Sequence, residues 1–264
     1  MLFGTSKNPK GPSLENPEQV VLDCSGTKVS FLLPMSNFKQ PEFEEGVSDF
    51  NKGGGNITLD VDKIMPKNSE KKSFFGGVLI DRVYNFHGLP FWEGEIGGLT
   101  FNLTYLNSTK KDYIDNFYST ALSILNDAYH IKNTHQSYQY VYPIDWSCIN
   151  INDVDFLTYS IRDLAQLGRN RNRYILEYCL MLSSSSILNF SFDVEARLDS
   201  MCGEVISNII NFIIGSVVVN FSLHHLEEVK KADLKNKFEP VKPFLWQEYK
   251  KCYGVDYSIL DQYR

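Results

Sequence analysis

Apolar and polar side chains alternate with a period of two along several stretches of this chain. In GLTFNLTYL, Leu99, Phe101, Leu103 and Tyr105 fall on one face while Thr100, Asn102 and Thr104 fall on the other. ILNFSFDVE sets Leu188, Phe190, Phe192 and Val194 against Asn189, Ser191 and Asp193, and NITLDVD sets Ile57, Leu59 and Val61 against Thr58, Asp60 and Asp62. Each stretch predicts a strand with one buried and one wet face, the habit of antiparallel sheets. Residues 28–34, 74–86, 137–144, 155–161 and 173–182 are further strand candidates, and the run Ser183–Ser186 suits a hairpin turn between two of them.

Elsewhere the period lengthens to three and four. Tyr113, Ile114, Phe117, Tyr118, Ala121, Leu122, Leu125 and Tyr129 share one face of a helix predicted over 110–130. Leu198, Met201, Cys202, Val205, Ile206, Ile209, Ile210, Phe212 and Ile213 form the apolar stripe of a second, predicted over 195–214. Gly215 offers that helix a stop, and Val217–Val219 suits a short extended exit. The run NIINFIIGSVVV falls short of the roughly 20 apolar residues that cross a bilayer, so it is expected in a core. Runs of strands with segregated helices predict an α+β fold, a mainly antiparallel sheet flanked by helices. Residues 1–19 are expected as a flexible arm, 20–222 as the sandwich domain and 223–264 as a charged helical extension, broken at Pro240 and Pro243.

Composition adds a boundary. The 264 residues are 43% hydrophobic and include 18 Phe and 15 Tyr, enough for an aromatic core. The formal net charge of −6 argues against non-specific nucleic-acid binding, which requires clustered Lys and Arg. Five scattered cysteines without a C-x-x-C, and an N-terminal stretch lacking an apolar signal region, predict a reducing cytoplasmic setting.

Candidate chemistry is sparse. His87, His130, His135, His224 and His225 show no zinc spacing, KGGGN at 52–56 lacks the P-loop context, and no G-x-S-x-G elbow occurs. No catalytic residue, metal or cofactor is therefore expected. Binding candidates remain. Arg169, Arg171 and Arg173 alternate and would present three guanidinium groups on one face, a grip for carboxylate or phosphate or a charged guard on a loop. Asp60 and Asp62 would share the polar face of a strand. Trp92 beside Glu93, with Glu95 close by, is the aromatic-plus-charge pairing that interfaces use as an anchor.

Three blocks together carry a resemblance. They are FLLP at 31–34, a central amphipathic helix, and the late series RYILEYCLML, SILNFSFDVE and ISNIINFIIGSVVV. Over roughly residues 27–220 this pattern resembles bacterial toxin-immunity proteins of type VI secretion and polymorphic-toxin systems. The resemblance implies an α/β/α sandwich like that of the photosystem II extrinsic subunit. It also implies a non-catalytic protein that binds a cognate toxin and occludes its active site, with no membrane and no nucleic acid as partner. The alternatives are a small-molecule-binding or enzymatic α+β domain, with a cleft lined by Tyr138, Tyr140 and Tyr142, or a structural subunit of a larger complex.

Overall fold

A computed structural model describes residues 4–37, 55–64, 74–108, 144–162 and 170–232. The predicted helix over 110–130, all but the last residue of the strand predicted over 137–144, the three cleft tyrosines, Arg169 and the chain beyond 232 lie outside the described residues. The rest is α+β with mainly antiparallel sheets.

The first six-stranded sheet follows from the alternating stretches. Its strands are β4 (Phe74–His87), β5 (Glu95–Ser108), β6 (Ile144–Ile151), β7 (Val154–Arg162), β8 (Arg171–Met181) and β9 (Ser186–Arg197), in the order β4-β5-β9-β8-β7-β6. Every pairing is antiparallel. Register places Phe101 opposite Phe192 and Leu103 opposite Phe190, so the inward residues of β5 and β9 form one continuous greasy surface.

A second sheet covers that surface. β1 (Glu18–Cys24) and β2 (Thr27–Leu33) form a hairpin, extended in parallel by β3 (Ile57–Asp60) and on the other side by β10 (Val218–Asn220). Sequence reading missed β1, although Val20, Leu22 and Cys24 alternate as clearly as any strand. Phe31 of β2 meets Phe101 at 6.1 Å and Phe190 at 5.4 Å, both edge to face, an arrangement that aromatic quadrupoles favour. Between the sheets, Arg82 of β4 is 2% exposed and Glu18 of β1 is 5% exposed, with 3.0 Å between Nη2 and Oε2. Such a pair adds little net stability, but removing one partner strands the other charge.

The helix α1 (Val61–Ile64) is a single turn, α2 (Cys202–Gly215) is the apolar one, and α3 (Leu223–Ala232) opens the charged tail. α2 buries Cys202, Ile206, Ile209, Ile210, Ile213 and Ile214 and stops at the expected glycine. Its start is later than predicted. Residues 195–197 instead complete β9, because Glu195 and Ala196 pair with both β5 and β8 and Arg197 pairs with β8. The Asn152 amide donates to the carbonyls of Gly215 and Val217, both at 2.9 Å, tying the β6–β7 turn to the helix exit.

The expected loose arm is also different. Lys10 and His87 exchange two backbone hydrogen bonds of 3.0 Å, Pro9 is buried, and Glu18 already belongs to a strand. Backbone pairing thus reaches into the stretch that polarity marks as an arm.

Candidate functional site

The β4–β5 connection reads HGLPFWEGE. Gly88 donates to the Gly94 carbonyl at 2.9 Å, and Glu93 donates to the Leu89 carbonyl at 2.9 Å. Phe91 takes a φ of +71°, a left-handed conformation that a bulky side chain adopts at a steric cost. The Glu93 carboxylate holds the turn from below. Its Oε2 accepts the Leu89 N–H at 2.7 Å and the Ser6 N–H at 2.9 Å. These donors, Leu89 first, keep the carboxyl below the usual glutamate range, with Ser6 and Arg197 adding to the effect. Gly88 is required here, since a β-carbon would lie 2.3 Å from Glu93 Oε2.

This framework presents two large rings to solvent. Phe91 is 99% exposed and Trp92 86%. The corner between β9 and α2 adds Leu198 at 57% and Met201 at 45%, and Ser6 connects the two places by accepting the Met201 N–H at 2.8 Å. One end of the molecule thus carries several large apolar side chains outside any core.

Charge at the same end is balanced. Arg173 makes a two-pronged contact with Asp193 at 3.1 and 2.7 Å, Arg197 does the same with Asp199 at 3.0 and 2.8 Å, and Arg171 pairs with Glu195. Arg171 and Arg173 therefore lie on a strand with cross-strand carboxylates in their grip, and these two do not form an open anion cradle. Glu95 begins β5 opposite His87 and is exposed. The structure brings Trp92, Glu93, Glu95, Arg171 and Arg173 to this one end.

Asp60 and Asp62 lie elsewhere and do other work. β3 stops at Asp60 and the chain turns into α1, so the two carboxylates do not share a strand face. Asp60 pairs with Lys63 at 2.8 Å, and that hydrogen bond lowers its pKa. Asp62 accepts the Ser25 N–H at 3.0 Å and its hydroxyl at 2.9 Å, supporting the β1–β2 turn, where Ser25 and Gly26 both have positive φ.

Sequence reasoning missed Phe91, Leu198 and Met201 as surface groups. Two adjacent rings bracketed by Gly88 and Gly94 were a readable signal; Leu198 and Met201 instead fitted a helical stripe. It also missed Glu177, 3% exposed on the face of β8 turned away from the second sheet. The Asn189 amide donates to it at 2.8 Å and Ser191 at 3.0 Å, yet burial pushes its carboxyl up to about 7. With donors satisfying it and almost no exposure, Glu177 belongs to an internal network. Burial likewise pushes the Cys24 thiol up to about 12, away from nucleophilic use. Among the described residues no His, Cys, Asp and Glu group is arranged to hold a metal ion, and no helix is long and apolar enough to cross a membrane.

No protein-family model and no curated protein matches the chain. Among solved structures, LpqN, involved in cell envelope biogenesis of Mycobacterium tuberculosis, is similar at 10% identity with a TM-score of 0.29, over 58% of this chain and 87% of that one.

Proposed function

We propose that this chain is a protein-binding module that uses the Phe91–Trp92 turn as its anchor, and that its partner is a toxin which it neutralises by occlusion. The observation that carries the binding reading is the near-complete exposure of both rings on a turn already fixed by hydrogen bonds. A turn whose backbone is already held by hydrogen bonds has less to order on docking, and burying each large ring is worth about 1.5–3 kcal/mol. A protruding pair fits a concave apolar cleft, and in the immunity reading that cleft is the toxin's substrate site. The toxin itself comes from the block resemblance. A lipid surface is the weaker occupant, because the arginines at this end are matched by carboxylates and leave little surplus charge for anionic headgroups.

The test is co-expression with the polypeptide encoded beside this chain. Growth restored by the wild-type chain and lost with Trp92→Ala supports the reading. Equal killing with and without the chain overturns the toxin assignment. Sedimentation of the purified protein with anionic lipid vesicles, abolished by Trp92→Ala, overturns the protein partner.

A further inference from the structure

Residues 4–11 do more than pad the surface. Thr5 and Asn8 close a tight turn with hydrogen bonds of 2.9 and 3.0 Å, and Ser6 at its tip touches both halves of the apolar end. Its N–H goes to the Glu93 carboxylate and its carbonyl receives the Met201 N–H. Lys10 then pairs with His87, the last residue of β4. The slot admits little side chain. A β-carbon on Gly4 would lie 2.2 Å from the His87 carbonyl oxygen, and one on Gly11 would lie 2.5 Å from the Phe86 ring.

Glu93 is the hinge of this arrangement. One oxygen serves two donors, Leu89 four residues before it and Ser6 87 residues before it in sequence, so the turn and the N-terminal segment are fastened to one atom. Hydrogen bonds to a charged acceptor are about twice as strong as neutral ones, and losing the Ser6 donor leaves the carboxylate to water or to rearrangement. Phe91, in its left-handed conformation, gives the turn a reason to relax once released.

From this geometry we infer that Gly4–Gly11 is a clasp that holds the Phe91–Trp92 turn in its binding form, so that withdrawal of the segment switches the site off. The consequence for binding rests on the protein-binding reading; the clasp itself does not, and the two are separable by experiment.

Amide hydrogen exchange on the full chain reads the clasp directly. Gly4→Val should expel the segment through its clash with His87, and Ser6→Pro removes the donated N–H. Both should speed exchange at Leu89, Glu93 and Gly94 by about tenfold, the factor expected for losing one charge-assisted hydrogen bond, while Phe101–Leu103 and Phe190–Phe192 keep their protection. Chymotrypsin should cut after Phe91 or Trp92 faster by a similar factor. Unchanged exchange in both variants overturns the clasp. So does a uniform loss of protection across β5 and β9, which would make the segment a staple of the whole fold. In the co-expression assay, Gly4→Val should weaken protection while retaining Trp92. If Trp92→Ala leaves protection intact, the binding site is refuted, and the exchange data still decide the clasp.

Discussion

At one end of the six-stranded sheet, Phe91, Trp92, Leu198 and Met201 face solvent while the polar groups beneath them hold the turn in place. At the other end, polar groups reach inward. Asp62 supports Ser25, Thr27 Oγ1 lies 2.7 Å from His225 Nδ1, and Glu228 accepts the Ser184 N–H at 2.8 Å. Here α3 is fastened to the β1–β2 hairpin and the β8–β9 turn, and burial lowers the pKa of His225. The residue types overlap, and Leu223 at the closing end is 84% exposed, so apolar exposure alone does not separate the two ends; among the described residues the exposed aromatic rings lie at one end only. Exposure of large rings is informative only when neighbouring polar groups make it rigid.

The sharpest way to break this contrast is to remove the rings. Phe91→Ala combined with Trp92→Ala should weaken partner binding by about 4 kcal/mol, roughly a thousandfold in Kd by titration calorimetry, with Tm unchanged. A fall in Tm with binding intact would make the rings structural.

Glu177 lies midway and tests whether the ends belong to one cooperative unit. Its carboxyl is raised from 4.5 to about 7, so between those values the native protein holds a proton that the unfolded chain releases. Its contribution is full below pH 4.5, falls as pH rises through 7, and then levels off. The total is about 3 kcal/mol. Glu177→Gln should flatten that slope in urea titrations run across this pH range.

At the closing end, Asp62→Ala should cost about 0.5–1.5 kcal/mol, the net worth of the bond from the exposed Ser25 N–H, which then turns to water. Partner binding should not change. Adding Ser25→Gly should recover about 1 kcal/mol, since glycine tolerates the φ of +51°. Thermal melts of the single and double variants check both steps. The smallest effect is expected from Arg197→Ala, whose carboxylate partner Asp199 is half in solvent. There stability should move by less than about 1 kcal/mol in the same melts.

Strand positions in β5, β8 and β9 were legible because a half-buried strand must alternate, and no other local structure explains Leu99–Tyr105 or Leu188–Val194. α2 was legible for the same reason at period 3.6, apart from its start. There Leu198 and Met201 continue the apolar stripe, while the backbone of Glu195 and Ala196 is paired with two neighbouring strands and that of Arg197 with one. Trp92 and Glu93 were named from local composition alone.

The chain by itself thus determined where side chains alternate, where the period changes and that Trp92 stands beside Glu93 in a stretch rich in glycine. Tertiary structure decided which of those features meet. Local patterning depends on neighbours within a few residues, whereas the Ser6–Glu93, Glu18–Arg82 and Asp62–Ser25 contacts join segments 87, 64 and 37 residues apart. Nothing in the spacing of such pairs encodes their approach; it follows from the packing of the two sheets and of the helix against both.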